Sequence, residues 1–417
     1  MIRPKRAVAA VAIGVLCAAN GAAYSVLTHE ALVDAVWEVE LKGILLKRFP
    51  NATPQQLKEA HGYAYGGAVI QDSGFYPRGS YQFSDLTHYV RSGDFILALL
   101  SESHTLDEYA FALGALSHYY GDTIGHRYGT NVSEPLLYKK LRKKYGNFIT
   151  YADSPDAHLR TEYGFDVEEV AKGNFAPQNY HDFIGFQVAK SSLVRAFQKT
   201  YGFGLDQLYG DLDEAIGSYR HTLATLIPFF TRVAWAAHKG EILKAQPSMS
   251  RAQFIYIMKR SSYEREWGKQ YDRPSFFDRL VAVLVKLLPP LGPIKVLKFK
   301  ALTPGTFQIF MHSFDMAEPE YRRASHAADE NKLHLVNFNF DSGFVTRSGQ
   351  YHPQDDAYAF WLDELAQLRY ATVTGAMRDN ILAFYRDLKP PVYVKQRGKD
   401  WQRVLRELEE LRATKAS

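Results

Sequence analysis

The segment from Ser117 to His126, which reads Ser-His-Tyr-Tyr-Gly-Asp-Thr-Ile-Gly-His, constrains the fold more than any other part of the chain. It places His118, Asp122 and His126 at successive steps of four residues. An α-helix turns by about 100° per residue, so positions four and eight residues further along are rotated by only about 40° and 80° and share one face with the first. A helix here would present three metal-binding side chains together. The alternative is that the two histidines are ordinary buried residues of a core-facing stripe.

The residues before this segment indicate that it is helical. Thr105 and Glu108 have the spacing of a capping box, in which two side chains satisfy the first free amide groups of a helix. Apolar residues then recur at helical spacing from Tyr109 to Tyr120. We therefore predict a helix from about Leu106 to Arg127.

Helix signals also dominate the rest of the chain. One helix start is indicated by an N-cap, a first-turn proline and a capping-box partner at Thr53, Pro54 and Gln56. A second helix is expected to start in the same way at Ser154 and Pro155. Further helices are expected near residues 25–47, 187–199, 206–239, 250–269, 275–288, 318–330, 355–387 and 399–414. Strand signals are few, the best being the polar and apolar alternation in Leu333–Val345 with its Asp-Ser-Gly turn. The predicted fold class is mainly α.

Residues 1–23 have the pattern of a secretory signal peptide. A basic start is followed by a short apolar stretch and then by Gly21-Ala22-Ala23, a small-residue cleavage site. An uncleaved membrane anchor is the weaker interpretation. We therefore expect an exported protein, periplasmic or secreted after cleavage. Its only cysteine, Cys17, would be lost with the signal peptide, so the mature chain could form no disulfide.

Composition and charge limit the remaining possibilities. The formal net charge is +5, and it falls to +2 when the three basic residues of the signal peptide are removed, which is too small to indicate a polyanionic partner. With 417 residues, 46% of them hydrophobic, the chain can bury a large core in two domains or in one elaborated domain. We place a boundary near residues 239–250, which gives a catalytic domain at 24–240 and a mainly helical region of unknown role at 241–417. Since no metal-type grouping appears beyond this boundary, the chemistry is expected between residues 24 and 240.

Five of the 14 histidines come with carboxylates. With three of these carboxylates, Asp72, Asp122 and Glu162, the ordered set is His29, Asp72, His88, His118, Asp122, His126, His158 and Glu162. Neutral imidazole nitrogens mixed with hard carboxylate oxygens, without a thiolate, are the ligands of catalytic zinc, which keeps one coordination position open for water. The sequence therefore predicts a zinc site.

This ordered set closely resembles the bacterial zinc-dependent phospholipase C family, and more distantly the fungal single-strand nucleases that share its trinuclear zinc site. The resemblance covers about residues 24–240 and implies a multi-helix zinc domain with three Zn²⁺ ions. By analogy with the family, Asp72, His88, His118 and Asp122 would hold one zinc, His126, His158 and Glu162 a second, and His29 with a bridging Asp122 a third. The step from Asp122 to His126 is shorter than in the best-known bacterial phospholipases, but it keeps His126 on the shared face.

The resemblance also assigns roles to Tyr24 and Asp72. In these families the amino and carbonyl groups of the first mature residue, usually tryptophan, bind the third zinc, and cleavage after Ala23 would make Tyr24 that residue. Because the ligands are main-chain atoms, the change to tyrosine matters little. The family equivalent of Asp72 is a candidate general base that orients or deprotonates the attacking water. The alternative for Asp72 is a turn residue, since Gln-Asp-Ser-Gly is also a good turn sequence.

The implied function is a phospholipase C that hydrolyses the glycerol-side phosphodiester of phospholipids by attack of a zinc-activated water, releasing diacylglycerol and a phosphorylated head group. Three Zn²⁺ with three carboxylates would leave the site positive, which suits a phosphodiester that gains negative charge in the transition state. The alternative is a nuclease or nucleotidase that acts on single-stranded nucleic acid with the same metals. A zinc-stabilised binding protein is disfavoured because all eight expected side-chain ligands are present. No protein partner is implied.

Two further features bear on the substrate. Four aromatic residues follow soon after Asp72: Phe75, Tyr76, Tyr81 and Phe83. They could surround a quaternary ammonium group or stack on a nucleobase, although packing in the core is the commoner role of such residues. Residues 274–300 combine a nearly continuous apolar run with basic flanks, which is a pattern for peripheral membrane contact. A buried helix is the equally simple alternative for this stretch.

Overall fold

The computed structural model describes residues 25–172, 186–223, 302–390 and 398–414, together with residues 235, 239, 240, 243 and 250. Within these ranges the protein is mainly α, which confirms the predicted fold class. The predicted signal peptide at 1–23, Tyr24 and the proposed membrane-contacting stretch at 274–300 lie outside the described residues, and those predictions stay predictions. None of the described helices is long and apolar enough to cross a membrane.

The helices of the N-terminal half form a nearly unbroken series. They are α1 (Val26–Val36), α2 (Lys42–Arg48), α3 (Pro54–Val69), α4 (Tyr81–Tyr89), α5 (Ser92–Ser101), α6 (Leu106–Gly125), α7 (Asn131–Leu137), α8 (Lys139–Tyr145), α9 (Pro155–Lys172), α10 (Lys190–Tyr201) and α11 (212–223). Short π-helical segments, Trp37–Leu41 and His126–Thr130, connect α1 to α2 and α6 to α7. A 3₁₀ turn, Ile70–Phe75, follows α3.

The described helices of the C-terminal half are α12 (Pro304–Asp329), α13 (His352–Gln367), α14 (Gly375–Phe384) and α15 (Gly398–Ala413). Helix α12 begins earlier than the sequence predicted, because Thr303 caps it through Thr306 and Pro304 occupies its first position. The single helix predicted at 355–387 is two helices. They are separated where Arg369 and Tyr370 adopt positive φ angles of 52° and 59°, which an α-helix cannot contain.

The predicted starts of two N-terminal helices are confirmed. Thr53 accepts a hydrogen bond from the Gln56 amide, and the Gln56 side chain accepts one from the Thr53 amide, so both halves of this capping box are present. Thr105 accepts from the Glu108 amide and starts α6 at Leu106. The Glu108 carboxylate binds the His104 amide instead of completing the box.

Helices α3 and α6 make the most extensive helix pair among the described residues. Two glycines allow their backbones to approach closely. A Cβ at Gly67 would lie 1.8 Å from the Phe111 carbonyl oxygen, and a Cβ at Gly114 would lie 1.9 Å from the Ala64 carbonyl oxygen. This contact holds the 3₁₀ turn at the end of α3 against the middle of α6, where the predicted ligands lie.

The C-terminal helices pack on the N-terminal ones in one continuous apolar core. Tyr321 of α12 donates a hydrogen bond to the Leu113 carbonyl at 3.1 Å, and Trp361 of α13 donates to the Tyr201 carbonyl at 2.8 Å. Most residues around position 240 lie outside the described ranges, so the division into regions 24–240 and 241–417 stays a prediction.

The strand predicted at Leu333–Val345 is wrong. Within the described residues this segment forms one isolated antiparallel bridge, between Asn339 and Phe344, and otherwise runs as an extended chain over the N-terminal helices. Its backbone groups bond to those helices, since Phe338 accepts from the Ser92 hydroxyl and the Phe340 amide donates to the His88 carbonyl. The alternation in its sequence reflects an extended chain with one covered face, which does not require a neighbouring strand.

Candidate metal centre

Six structural elements carry the eight predicted side-chain ligands. His29 lies on α1, Asp72 in the 3₁₀ turn after α3, His88 at the end of α4, His118 and Asp122 on α6, His126 at the start of the π segment, and His158 and Glu162 on α9. All eight are buried, and none is more than 2% exposed. The structure therefore brings residues that span 134 positions of sequence into one interior site.

Three groups of ligand atoms lie close enough together to hold a metal ion. In each group the atoms are within 4.8 Å of one another, and the groups are Asp72, His88 and His118; His126, His158 and Glu162; and His29, His118 and Asp122. This division follows the one that the resemblance implies, with two differences: His118 belongs to two groups, and Asp122 is grouped with His29 and His118 but not with Asp72 and His88. Tyr24, the remaining predicted ligand, lies outside the described residues.

The Asp122 carboxylate faces two of these groups. Its Oδ2 atom lies 3.1 Å from His118 Nε2 and 3.4 Å from His88 Nε2, and its Oδ1 atom lies 3.2 Å from His29 Nε2. One oxygen is thus directed to each side. This is the placement that a bridging carboxylate needs.

Main-chain carbonyls fix the direction of three histidine rings. His88 Nδ1 lies 2.8 Å from the Ser84 carbonyl oxygen, and His118 Nδ1 lies 2.8 Å from the Ala68 carbonyl oxygen. His126 Nδ1 lies 2.6 Å from a further carbonyl, described below. A carbonyl oxygen can only accept, so each Nδ1 carries a proton and, in the neutral ring, each Nε2 keeps a free lone pair.

These lone pairs point at one another. His88 Nε2 and His118 Nε2 are 3.4 Å apart, and His126 Nε2 and His158 Nε2 are 3.1 Å apart. The buried carboxylate oxygens beside them accept no hydrogen bond; they belong to Asp72, Asp122 and Glu162. Acceptors packed against acceptors in a dry interior are costly unless a cation lies between them. Imidazole nitrogens and carboxylate oxygens without a thiolate suit zinc, so the residues present fit the predicted metal.

The same crowding shifts the acid–base equilibria. Burial opposes the charged form of Asp122, but His118 and the neighbouring histidines outweigh it and hold the pKa of Asp122 well below its usual range. Burial also opposes protonation of His88, yet Asp122 and Asp72 raise the pKa of His88 well above its usual value. Burial raises the pKa of Glu162 well above normal, and the other site carboxylates add to this effect. Protons and metal ions therefore compete for the same atoms.

Sequence reasoning missed Glu134, which orients a ligand of the second group. Its Oε1 atom lies 2.6 Å from His158 Nδ1, and both side chains are fully buried. A carboxylate that accepts the Nδ1 proton of a histidine turns the Nε2 lone pair toward a metal and makes it a better ligand. Glu134 lies 24 residues before His158 on another helix, so no spacing in the sequence connects the two.

Phe340 was also missed, and it comes from beyond the predicted catalytic region. Its carbonyl is the acceptor for His126 Nδ1, and its amide donates to the His88 carbonyl at 3.1 Å. Its ring centre lies 5.4 Å from that of His88 and 5.9 Å from that of His118. All expected side-chain ligands precede residue 240, but the chain after residue 240 supports two of the three groups. The hydrogen bonds are main-chain ones, so residue type gives no signal for them.

The aromatic residues near Asp72 divide between two settings. Tyr76 and Phe83 are buried in the core, where Tyr76 packs on Tyr219 with ring centres 4.1 Å apart. Phe75 lies edge-on to His88 at 5.7 Å and to the partly exposed Tyr81 at 6.1 Å. Core packing thus describes Tyr76, Phe83 and Phe75, and Phe75 also lies beside the ligand His88.

Comparison with known proteins relates the region of this site to one family. No curated protein and no solved structure matches the chain significantly. A family model described as zinc-dependent phospholipase C matches residues 28–209, which is less than half of the chain and includes all eight buried ligands. Residues 28–209 are therefore similar to the zinc-dependent phospholipase C family.

Proposed function

We propose that the protein is a phospholipase C that uses three zinc ions to hydrolyse the glycerol-side phosphodiester of phospholipids, releasing diacylglycerol and a phosphorylated head group. The family supports a zinc-dependent, phospholipase C-like hydrolase. The observation that carries it is the buried set of converging Nε2 lone pairs and unsatisfied carboxylates within the family region.

The ligands would be shared among three ions. One ion would be held by Asp72, His88, His118 and Asp122, a second by His126, His158 and Glu162, and a third by His29 and Asp122 with the main-chain groups of Tyr24. When bound, zinc supplies an activated water and positive charge for a phosphodiester that gains negative charge during attack.

Asp72 would act on the attacking water. Its turn is held firmly, since Ser84 donates to the Gln71 carbonyl and accepts from the Gly74 amide. Both Asp72 oxygens are buried without a hydrogen bond, and Oδ1 lies 3.3 Å from His88 Nε2. Asp72 would take the proton from water as the water oxygen bonds to phosphorus. The bond from phosphorus to the glycerol oxygen would then break, and that oxygen would take up the proton that Asp72 removed from water and leave as diacylglycerol.

Metal analysis of the mature protein tests the ion count. We expect about three zinc ions per chain. His118→Ala should lose zinc and activity, whereas His334→Ala, at an exposed position, should keep both. None or one zinc per chain would contradict a trinuclear site.

The nuclease alternative uses the same metals and is separated by substrate. Phosphatidylcholine should be cleaved and single-stranded DNA should not. DNA cleavage without lipid turnover would reverse the preference. We also propose export with cleavage after Ala23, and the mass of the mature protein tests both this site and Tyr24 as the first residue.

A further inference from the structure

Helix α8 is a short surface helix made almost wholly of basic residues. Its charged side chains are Lys139, Lys140, Arg142, Lys143 and Lys144, and none of its residues is buried. Its charge equals the formal net charge of the whole chain, +5. From Leu136 to Phe148 the sequence contains no acidic residue. Among the described residues the contacts of these side chains are with neutral groups, as when Arg142 Nε donates to Asn147 at 2.8 Å and Lys144 lies over the Tyr145 ring.

Large apolar side chains are exposed around this helix. The described residues contain eight exposed side chains of this kind, and half of them lie here: Tyr128 at 37%, Leu136 at 47%, Phe344 at 42% and Val345 at 59%. Soluble proteins rarely gather exposed apolar side chains in one place, and here they lie beside a block of positive charge. Two of the four, Leu136 and Val345, are aliphatic and therefore cannot stack on a nucleobase.

Ring contacts join the apolar residues to the basic helix. The Arg127 guanidinium lies 4.1 Å from the Phe344 ring centre and 5.0 Å from that of Tyr128. The Phe344 ring is 6.2 Å from that of Phe148, which follows α8 by three residues. We call this surface, with α8, Leu136 and Val345, the basic-aromatic patch.

The basic-aromatic patch borders the metal centre. Arg127 and Tyr128 directly follow the ligand His126. Phe344 forms a β-bridge with Asn339 across a short turn. Phe340, the residue after Asn339, accepts a hydrogen bond from His126 through its carbonyl. A molecule bound on this surface would therefore lie beside the chain segments that carry and orient His126.

We propose that the basic-aromatic patch docks on the anionic surface of a phospholipid bilayer and holds the metal centre at the membrane. The inference rests on the proposed function for its substrate, although docking itself needs no turnover. Lysine and arginine side chains are attracted to anionic lipids, and exposed apolar side chains enter the boundary between head groups and acyl chains. A single-stranded nucleic acid would use the rings and charges, but it would leave Leu136 and Val345 without a partner.

Sedimentation with vesicles tests the docking. The full-length mature protein should sediment with vesicles of phosphatidylcholine mixed with phosphatidylglycerol, and much less with phosphatidylcholine alone. A variant with Lys140→Gln, Lys143→Gln and Lys144→Gln should bind the mixed vesicles at least about tenfold more weakly, because each basic residue near such a surface strengthens binding about fivefold. High salt should reduce the wild-type binding.

A matched control removes the same charge elsewhere. Lys47→Gln, Lys199→Gln and Lys332→Gln remove three lysines that already face the carboxylates of Asp329, Glu102 and Glu330. This control should bind as the wild type does. Equal binding by the two triple variants would overturn the proposal, and so would a defect of the α8 variant in binding single-stranded DNA but not vesicles.

The apolar part has its own variant and an independent readout. The double variant Leu136→Asn, Val345→Asn should weaken binding to the mixed vesicles. Unchanged binding would mean that charge alone attracts the protein, and it would contradict insertion of the apolar side chains into the membrane. A short-chain phosphatidylcholine that stays monomeric in solution should be hydrolysed equally by all these variants. Failure of the wild type on this substrate would reject the proposed function while the vesicle result still decides the docking.

Discussion

At the scale of single residues, the metal centre depends on the direction in which each imidazole ring points. His118 donates its Nδ1 proton to the Ala68 carbonyl, which belongs to the last turn of α3 and has no partner within that helix. His158 is held through Nδ1 by Glu134, and His126 by a main-chain carbonyl. The supporting atoms thus leave Nε2 as the atom available to a metal.

Removing the carboxylate of Glu134 should weaken the second ligand group. In Glu134→Ala, His158 loses the acceptor for its Nδ1 proton, so we expect the affinity for zinc at this group to fall by about 10- to 100-fold. Glu134→Gln keeps an acceptor without the charge and should lose less. Competition with a chromogenic chelator measures the affinity. Glu38→Gln, at an exposed site on the surface, is the control, and equal zinc affinity in the Ala variant and the wild type would refute this role.

Zinc affinity should fall as the pH is lowered. The pKa values of His88 and His118 are raised by Asp122 and Asp72, which outweigh the opposing effect of burial. A proton on Nε2 must leave before zinc binds, so the loss of affinity should begin at a higher pH than for a histidine with an ordinary pKa. Titration calorimetry in two buffers of different ionisation enthalpy should reveal proton release on binding. An affinity and a heat that do not depend on pH or buffer would contradict the competition.

Five of the eight ligands could be found from the sequence because they are distinctive residue types at helical spacing, namely His118, Asp122, His126, His158 and Glu162. The family resemblance added the other three, His29, Asp72 and His88. The supporting atoms could not be found in this way. Phe340 acts through its main chain, so any residue type could provide the same hydrogen bonds, and Glu134 is recognisable only once α7 and α9 are packed together.

At the scale of secondary structure elements, α6 was predictable because its cap and its apolar spacing agree. The extended segment at 333–345 was not, because alternation cannot distinguish a strand from a chain that lies on helices. This segment is anchored by side chains, since Tyr89 donates to the Asp341 carboxylate at 2.6 Å and Asn131 donates to the Asp341 carbonyl. Its turn closes at Gly343, where φ is +69°.

Gly343→Ala should disturb the metal centre from a distance. A Cβ at this position would lie 2.4 Å from the Thr123 carbonyl oxygen, in a left-handed conformation that alanine adopts poorly. We expect the free energy of unfolding to fall by about 1–3 kcal/mol. Zinc affinity should also fall, because the Phe340 carbonyl would move away from His126. Denaturant unfolding and zinc competition measure the two effects.

Gly375→Ala is the matched control for this change. A Cβ at Gly375 would meet nothing within 4 Å, and the residue is the first of α14. Alanine there should raise the free energy of unfolding by about 0.4–1 kcal/mol and leave zinc affinity unchanged. If both glycine variants kept the wild-type affinity, the turn would have no role in holding His126.

At the scale of the whole molecule, the two halves of the sequence share one core. Tyr321 and Trp361 are fully buried against groups that precede residue 240. The sequence suggested a catalytic region that ends near this point, because every ligand comes before it. Packing between distant helices is the information that a sequence pattern lacks.

A chain that ends at residue 240 tests this division. We expect the fragment 24–240 to expose the apolar surface that α12 and α13 cover, to unfold without a cooperative transition and to bind less zinc than the mature protein. Circular dichroism on heating and metal analysis measure both properties. A fragment that folds cooperatively and carries a full complement of zinc would establish residues 24–240 as an independent domain.

The hydrogen bond between His126 and Phe340 joins positions that are 214 residues apart. Closing so long a loop carries an entropic cost that must be met before the contact forms, so we expect the ring of His126 to be oriented late in folding. During synthesis, all eight side-chain ligands leave the ribosome long before Phe340, whose carbonyl orients His126. Zinc uptake by the second ligand group should therefore mark chains whose final third has already folded, and the metal would distinguish completed molecules from truncated ones.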